Sequence, residues 1–102
     1  MEIAISVNGV PIRLTDERWF HIVENHDELA GMVFEILATV GEPDFVVKGW
    51  QDELLAVRKI NSKYLVAAYK EIGGKDGFII TAFITSKIYQ IKKRKIIWPK
   101  QS

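Results

Sequence analysis

The amino-acid sequence predicts an α+β domain: two N-terminal helices packed on a four-stranded antiparallel sheet, with an N-terminal hairpin or arm and a basic C-terminal segment. Three observations lead there. Apolar residues recur at helical spacing as far as Val40, and from Phe45 they recur at every second position. The period-two stretches are then joined by loops so short that neighbouring strands must run antiparallel. A length of 102 residues fits one domain, 1–102, divided into a hairpin or arm (1–14), a helical pair (15–43), the sheet (44–85) and the basic segment (86–102).

Each element has a local reason. Ile3, Ile5 and Val7 share one parity, Asn8-Gly9 is a two-residue hairpin signal, and residues 10–14 form the returning strand. Pro11 lacks an N–H, which makes that strand an edge or a loose arm. Thr15 or Asp16 caps the first helix, whose stripe of Trp19, Ile22 and Val23 leads to His26. The second helix is expected over 28–40, with Leu29, Met32, Val33, Ile36, Leu37 and Val40 on one face and Gly41 and Pro43 as stop signals. Strands follow at 45–48, 54–60, 64–72 and 78–85, with Asn61-Ser62 as a tight turn and residues 73–77, containing three glycines, as a loop. Residues 86–98 read equally as helix or edge strand.

Composition excludes whole classes of chemistry. With no cysteine there is no disulfide scaffold, Cys-ligated zinc, iron–sulfur cluster or cysteine nucleophile. The longest apolar runs, at 65–69 and 77–84, are too short to span a bilayer, and the start of the chain lacks signal-peptide character, so a cytoplasmic, membrane-free protein is expected. The net charge of +1 conceals a division. Residues 1–57 hold three basic and eleven acidic residues, a net −8, whereas residues 58–102 hold eleven basic and two acidic residues, a net +9. Such asymmetry fits either an anionic partner or two halves that attract each other.

Three groups of residues could carry chemistry. His21 and His26 are five positions apart, about 140° around a helix, a spacing that disfavours joint metal ligation; no metal site and no cofactor are expected. His26 stands at a helix C-terminus, where an imidazole serves either as an acid/base or as a hydrogen-bonded corner residue, and His21 lies on a solvated helix face. On the strands, Arg58 shares a parity set with Leu54, Ala56 and Ile60, Lys70 shares one with Tyr64, Val66 and Ala68, and Thr81 and Thr85 interrupt the last strand on the side of Ile79 and Phe83. Projecting onto an uncovered sheet face, they form either a phosphate-holding groove or an ordinary solvated surface. Finally, Lys87 and the run Lys92, Lys93, Arg94 and Lys95 lie among Tyr89 and Trp98. Cations beside aromatic rings suit a nucleic-acid strand, although short basic tails also occur simply as solubilising segments.

Ile12-Arg13-Leu14-Thr15-Asp16-Glu17-Arg18-Trp19-Phe20-His21-Ile22, His26 and the acidic second helix resemble the start of small phage-type nucleases of the barnase–EndoU–colicin–RelE-like superfamily. Leu54-Leu55-Ala56-Val57-Arg58, Tyr64-Leu65-Val66-Ala67-Ala68-Tyr69-Lys70 and Gly77-Phe78-Ile79-Ile80-Thr81-Ala82-Phe83 resemble their sheet, so that the likeness covers about residues 12–87. The resemblance implies a metal-independent endoribonuclease, a toxin or mobile-element effector held by an acidic inhibitor or antitoxin protein. In it His26, with His21 second, would be the general acid/base, Arg58 and Lys70 would hold the phosphate, and Thr81 and Thr85 would position it. Asn25 stands where a basic residue is expected, and Phe83 where a tyrosine is frequent, so no phenol serves there. A non-catalytic nucleic-acid-binding domain and a self-associating interaction domain are the other readings.

Overall fold

A computed structural model describes residues 1–99; residues 100–102, the end of the basic segment, lie outside it. The elements are β1 (Glu2–Ile5), β2 (Pro11–Leu14), α1 (Asp16–Asn25), a 3₁₀ turn (Asp27–Leu29), α2 (Val33–Gly41), β3 (Phe45–Lys48), β4 (Leu54–Ile60), β5 (Lys63–Ile72), β6 (Asp76–Thr85), the single turn α3 (Tyr89–Lys92) and β7 (Ile96–Trp98). The class is α+β, but the expected four-stranded antiparallel sheet is replaced by a seven-stranded mixed one in the order β1-β2-β6-β5-β4-β3-β7. Strands β3 to β6 form the expected antiparallel meander. The three added strands come from the two terminal segments.

The N-terminal hairpin is no arm. Strand β2 lies between β1, which it pairs antiparallel, and β6, which it pairs in parallel at Arg13–Phe78. Pro11 therefore sits in an interior strand, at a position where β2 makes no ladder bond to β6. Three features seat the hairpin. Ile12 and Leu14 are buried, and Gly77 leaves the room that Ile12 needs: a Cβ there would stand 2.5 Å from Ile12 Cδ1 and 2.5 Å from the Lys70 carbonyl oxygen. The Arg13 guanidinium donates to both oxygens of Asp76, at 2.9 and 3.0 Å. At the turn, Ser6 Oγ donates to Glu71 at 2.6 Å and Asn8 donates to the same carboxylate.

Thr15 caps α1 as expected, its hydroxyl accepting from the Arg18 N–H at 3.1 Å. The helix expected over 28–40 is divided. Gly31 adopts φ +80°, a left-handed conformation that ends the short 3₁₀ turn and lets α2 begin two residues later. The apolar stripe survives the break, with Leu29, Ile36 and Val40 all buried in one core with Ile22, Leu65 and Tyr69. This core occupies the helix face of the sheet.

The opposite face is not open. After β6 the chain crosses it as a strap, residues 86–95, to reach β7 beside β3 at the far edge. Ile91, buried on α3, and Ile88 pack there against Val47, Leu55, Val57, Val66 and Ala68. The segment left open between helix and strand contains both.

Candidate nucleic-acid interface

Register decides which cations share a face. The two-residue Asn61-Ser62 turn sets Ile60 opposite Lys63, and Arg58 consequently opposite Leu65. Leu65 is buried in the helix-face core. Arg58 therefore projects on the helix face, where it lines a groove of about 410 Å³ with Phe34, Glu35, Ala38, Thr39 and Ile60. Lys70 has the other parity, pairs with Phe78 and projects on the strap face. The expected Arg58–Lys70 phosphate clamp is thus split by the thickness of the sheet.

The remaining expected residues are only partly gathered. Thr81 faces Ala68, Phe83 faces Val66 and Thr85 faces Tyr64, so that the two threonines flank Phe83 on the strap face. A β-bulge at Ile80 reverses the parity of the strand beyond it, so that Thr81 lies on the opposite face from Ile79 and not, as expected, on the same side. His26 stands at the end of α1, its ring centroid 6.3 Å from that of Phe83. Its Nδ1 lies 3.8 Å from Glu28 Oε2, an ion pair when the ring is protonated. His21 is exposed on α1, and its carbonyl accepts from Asn25. Lys70 lines a small groove with Asp52 and Glu53, a setting that repels phosphate. Thr85 Oγ1 accepts from the Lys87 N–H at 3.0 Å and so shapes the entry to the strap.

The C-terminal cations divide into structural and free ones. Arg94 is structural: Nε donates to the Lys48 carbonyl at 3.1 Å, Nη2 donates to the Gly49 carbonyl, and the guanidinium lies 4.7 Å from the centre of the Trp50 ring. Trp98 is also structural, half-buried against the helix-face core and paired with Val46. Lys87, Lys92, Lys93 and Lys95 are exposed, and among the described residues none of them forms an ion pair. Lys93 Nζ is 5.9 Å from the centre of the Tyr89 ring. Tyr89 and Trp50 are 57% and 61% exposed. No acidic residue occurs after Asp76.

No protein-family model, curated protein or solved structure matches this chain. The likeness to the small nucleases rests on the short segments quoted above. Among the described residues no three His, Asp or Glu side chains gather as metal ligands, and no helix is long and apolar enough to cross a membrane.

The sequence reading missed Trp50. A tryptophan in the polar stretch Lys48-Gly49-Trp50-Gln51-Asp52-Glu53 matches neither a strand nor a helix pattern, and that mismatch was its signal. In the structure the ring is the platform on which Arg94 lies, so the strap brings together two segments 44 residues apart, Trp50 and Arg94.

Proposed function

We propose that the strap is a single-stranded nucleic-acid-binding surface and that the domain binds without cutting. The supporting observation is the arrangement of Lys87, Lys92, Lys93 and Lys95, exposed and without carboxylate partners among the described residues, around the exposed Tyr89 ring. Lysine ammonium groups pair with phosphates and release counterions, and an exposed ring stacks on a base of any sequence. Buried Ile91 fixes the turn that presents them. RNA in the cytoplasm is the ligand this reading favours, and an acidic protein would compete for the same lysines.

Metal-free cleavage, as the nuclease resemblance implies it, needs a base and two phosphate-holding cations around one phosphate. Here the two cations are on opposite faces, Lys70 on the strap face and Arg58 on the other.

Fluorescence anisotropy with a labelled RNA oligonucleotide in EDTA, repeated across a salt series, tests the reading. Affinity should fall steeply with salt, and each Lys→Ala change in the strap should lower the slope of log K against log salt by about 0.7. Tyr89→Ala should weaken binding roughly tenfold with the slope unchanged. Absence of binding at low salt overturns the proposal, and cleavage of the RNA that is lost in His26→Ala replaces it with the nuclease reading.

A further inference from the structure

We infer that β1 is a self-association strand through which two copies of this chain pair edge to edge, joining their sheets into one. The inference is independent of the nucleic-acid reading and rests on the N-terminal edge of the sheet. The Ser6 N–H donates to the Val10 carbonyl at 2.9 Å, which makes Ser6–Val10 a hydrogen-bonded pair of the hairpin. Bonded and non-bonded pairs alternate along an antiparallel ladder. Ala4–Ile12 and Glu2–Leu14 are therefore bonded pairs, whereas Ile3, opposite Arg13, and Ile5, opposite Pro11, direct their backbone N–H and C=O groups away from β2. Those groups point to the free edge.

The same two residues expose their side chains. Ile3 is 52% and Ile5 54% exposed, while Ala4 between them is buried on the helix face. Natural edges are usually guarded by lysine, proline, a bulge or a very short strand. The opposite edge, β7, has three residues and is followed at once by Pro99. Strand β1 is itself only four residues long, but it carries no lysine, proline or bulge, and α2 reaches it at Gly41, which places no side chain against the Ile5 carbonyl oxygen.

The occupant that fits is a second β1. Antiparallel pairing about a two-fold axis at Ala4 sets Ile3 opposite the partner's Ile5 and Ile5 opposite the partner's Ile3. Both become hydrogen-bonded pairs, and the four isoleucines cover one another on the strap face. Glu2 then faces the partner's Ser6, so no like charges are opposed. The two-fold axis is perpendicular to the sheet, and both straps lie on the same side of the assembly.

Sedimentation velocity on the full chain, from micromolar to hundreds of micromolar, should show a species of twice 11.7 kDa that persists in high salt. Ile3→Lys and Ile5→Lys, both at exposed positions, should each return it to 11.7 kDa. Ala4 would face the partner's Ala4 across a non-bonded pair, with Cα atoms about 4.5 Å apart, a separation a disulfide can bridge. Because the chain has no cysteine, Ala4→Cys should oxidise to a covalent dimer, whereas Ile72→Cys, exposed but off the edge, should stay monomeric. A monomer over the whole concentration range, a dimer indifferent to both lysine variants, or one dissolved by salt each overturns the inference.

Discussion

Truncating Ile91 to alanine tests whether the strap is an integral layer of the domain. Ile91 is 4% exposed and is the buried residue of α3, seated on Val47, Leu55, Val57, Val66 and Ala68. The change removes three carbons, each worth about 0.8 kcal/mol when buried, which gives about 2.4 kcal/mol before any cavity is counted. Incomplete collapse around the vacated space raises the cost towards about 4 kcal/mol. The strap cannot loosen alone at low cost, because the Lys48 N–H donates to the Lys95 carbonyl at 2.9 Å and Arg94 donates to Lys48 and Gly49. With a urea m-value of about 2 kcal/mol/M, the unfolding midpoint should fall by about 1–2 M while m stays constant. Limited proteolysis of the native protein should show the strap no more open to cleavage than in wild type. A stability loss below about 0.5 kcal/mol, or early cleavage within residues 86–95, would refute the description of the strap as part of the cooperative fold.

Gly77→Ala places a methyl group against Ile12 Cδ1 and the Lys70 carbonyl, both 2.5 Å away, and should cost about 3 kcal/mol or detach the N-terminal hairpin, read as a lowered Tm. Asp76 is held below the usual carboxylate range by its hydrogen bond from Arg13, then by the Gly77 N–H and the guanidinium charge. A depressed folded-state pKa contributes stability at neutral pH that is lost as pH falls through the acid range. Asp76→Asn should therefore be less stable than wild type near neutrality, with the gap in urea midpoints closing on acidification; a gap constant with pH would contradict the assignment. The Tyr69 hydroxyl is buried and has no hydrogen-bond partner among the described residues, and burial, followed by the nearby Glu71 charge, pushes its pKa well above the usual phenol value. Tyr69→Phe should be neutral or stabilising by up to about 1 kcal/mol, and a clear loss of stability would reveal a partner for that oxygen.

Local chemistry was readable residue by residue. Thr15 as a cap, the bounds of β3 and β4 and the Asn61-Ser62 turn all follow from neighbours in sequence. The faces of Arg58 and Lys70 were also within reach, since a two-residue turn makes positions before and after it opposite when their numbers sum to 123, which sets Arg58 against Leu65 and not against the Lys70 set. What could not be read locally was the pairing of β2 with β6, because nothing in residues 11–14 says which distant strand will lie beside them. The break in the second helix was masked by its own stripe, which continues past Gly31 without losing phase. The strap was hidden for a similar reason. Ile88 and Ile91 are one helical turn apart, but only the assembled sheet shows that an apolar surface waits beneath them.

The parallel pairing of β2 with β6 also sets an order in time. Chains emerge from the ribosome N-terminus first, so β1 and β2 are complete while the strand that will hold them is still unmade. Until β6 has been synthesised, Ile12 and Leu14 have no sheet to lie in and Arg13 has no Asp76 to grip. The meander from β3 to β6 closes by contacts local in sequence, whereas the hairpin must bridge more than 60 residues to join it. A nascent chain arrested before Asp76 should therefore expose this hairpin to protease or chaperone, and release past Thr85 should bury it. The first strands made are among the last to be placed.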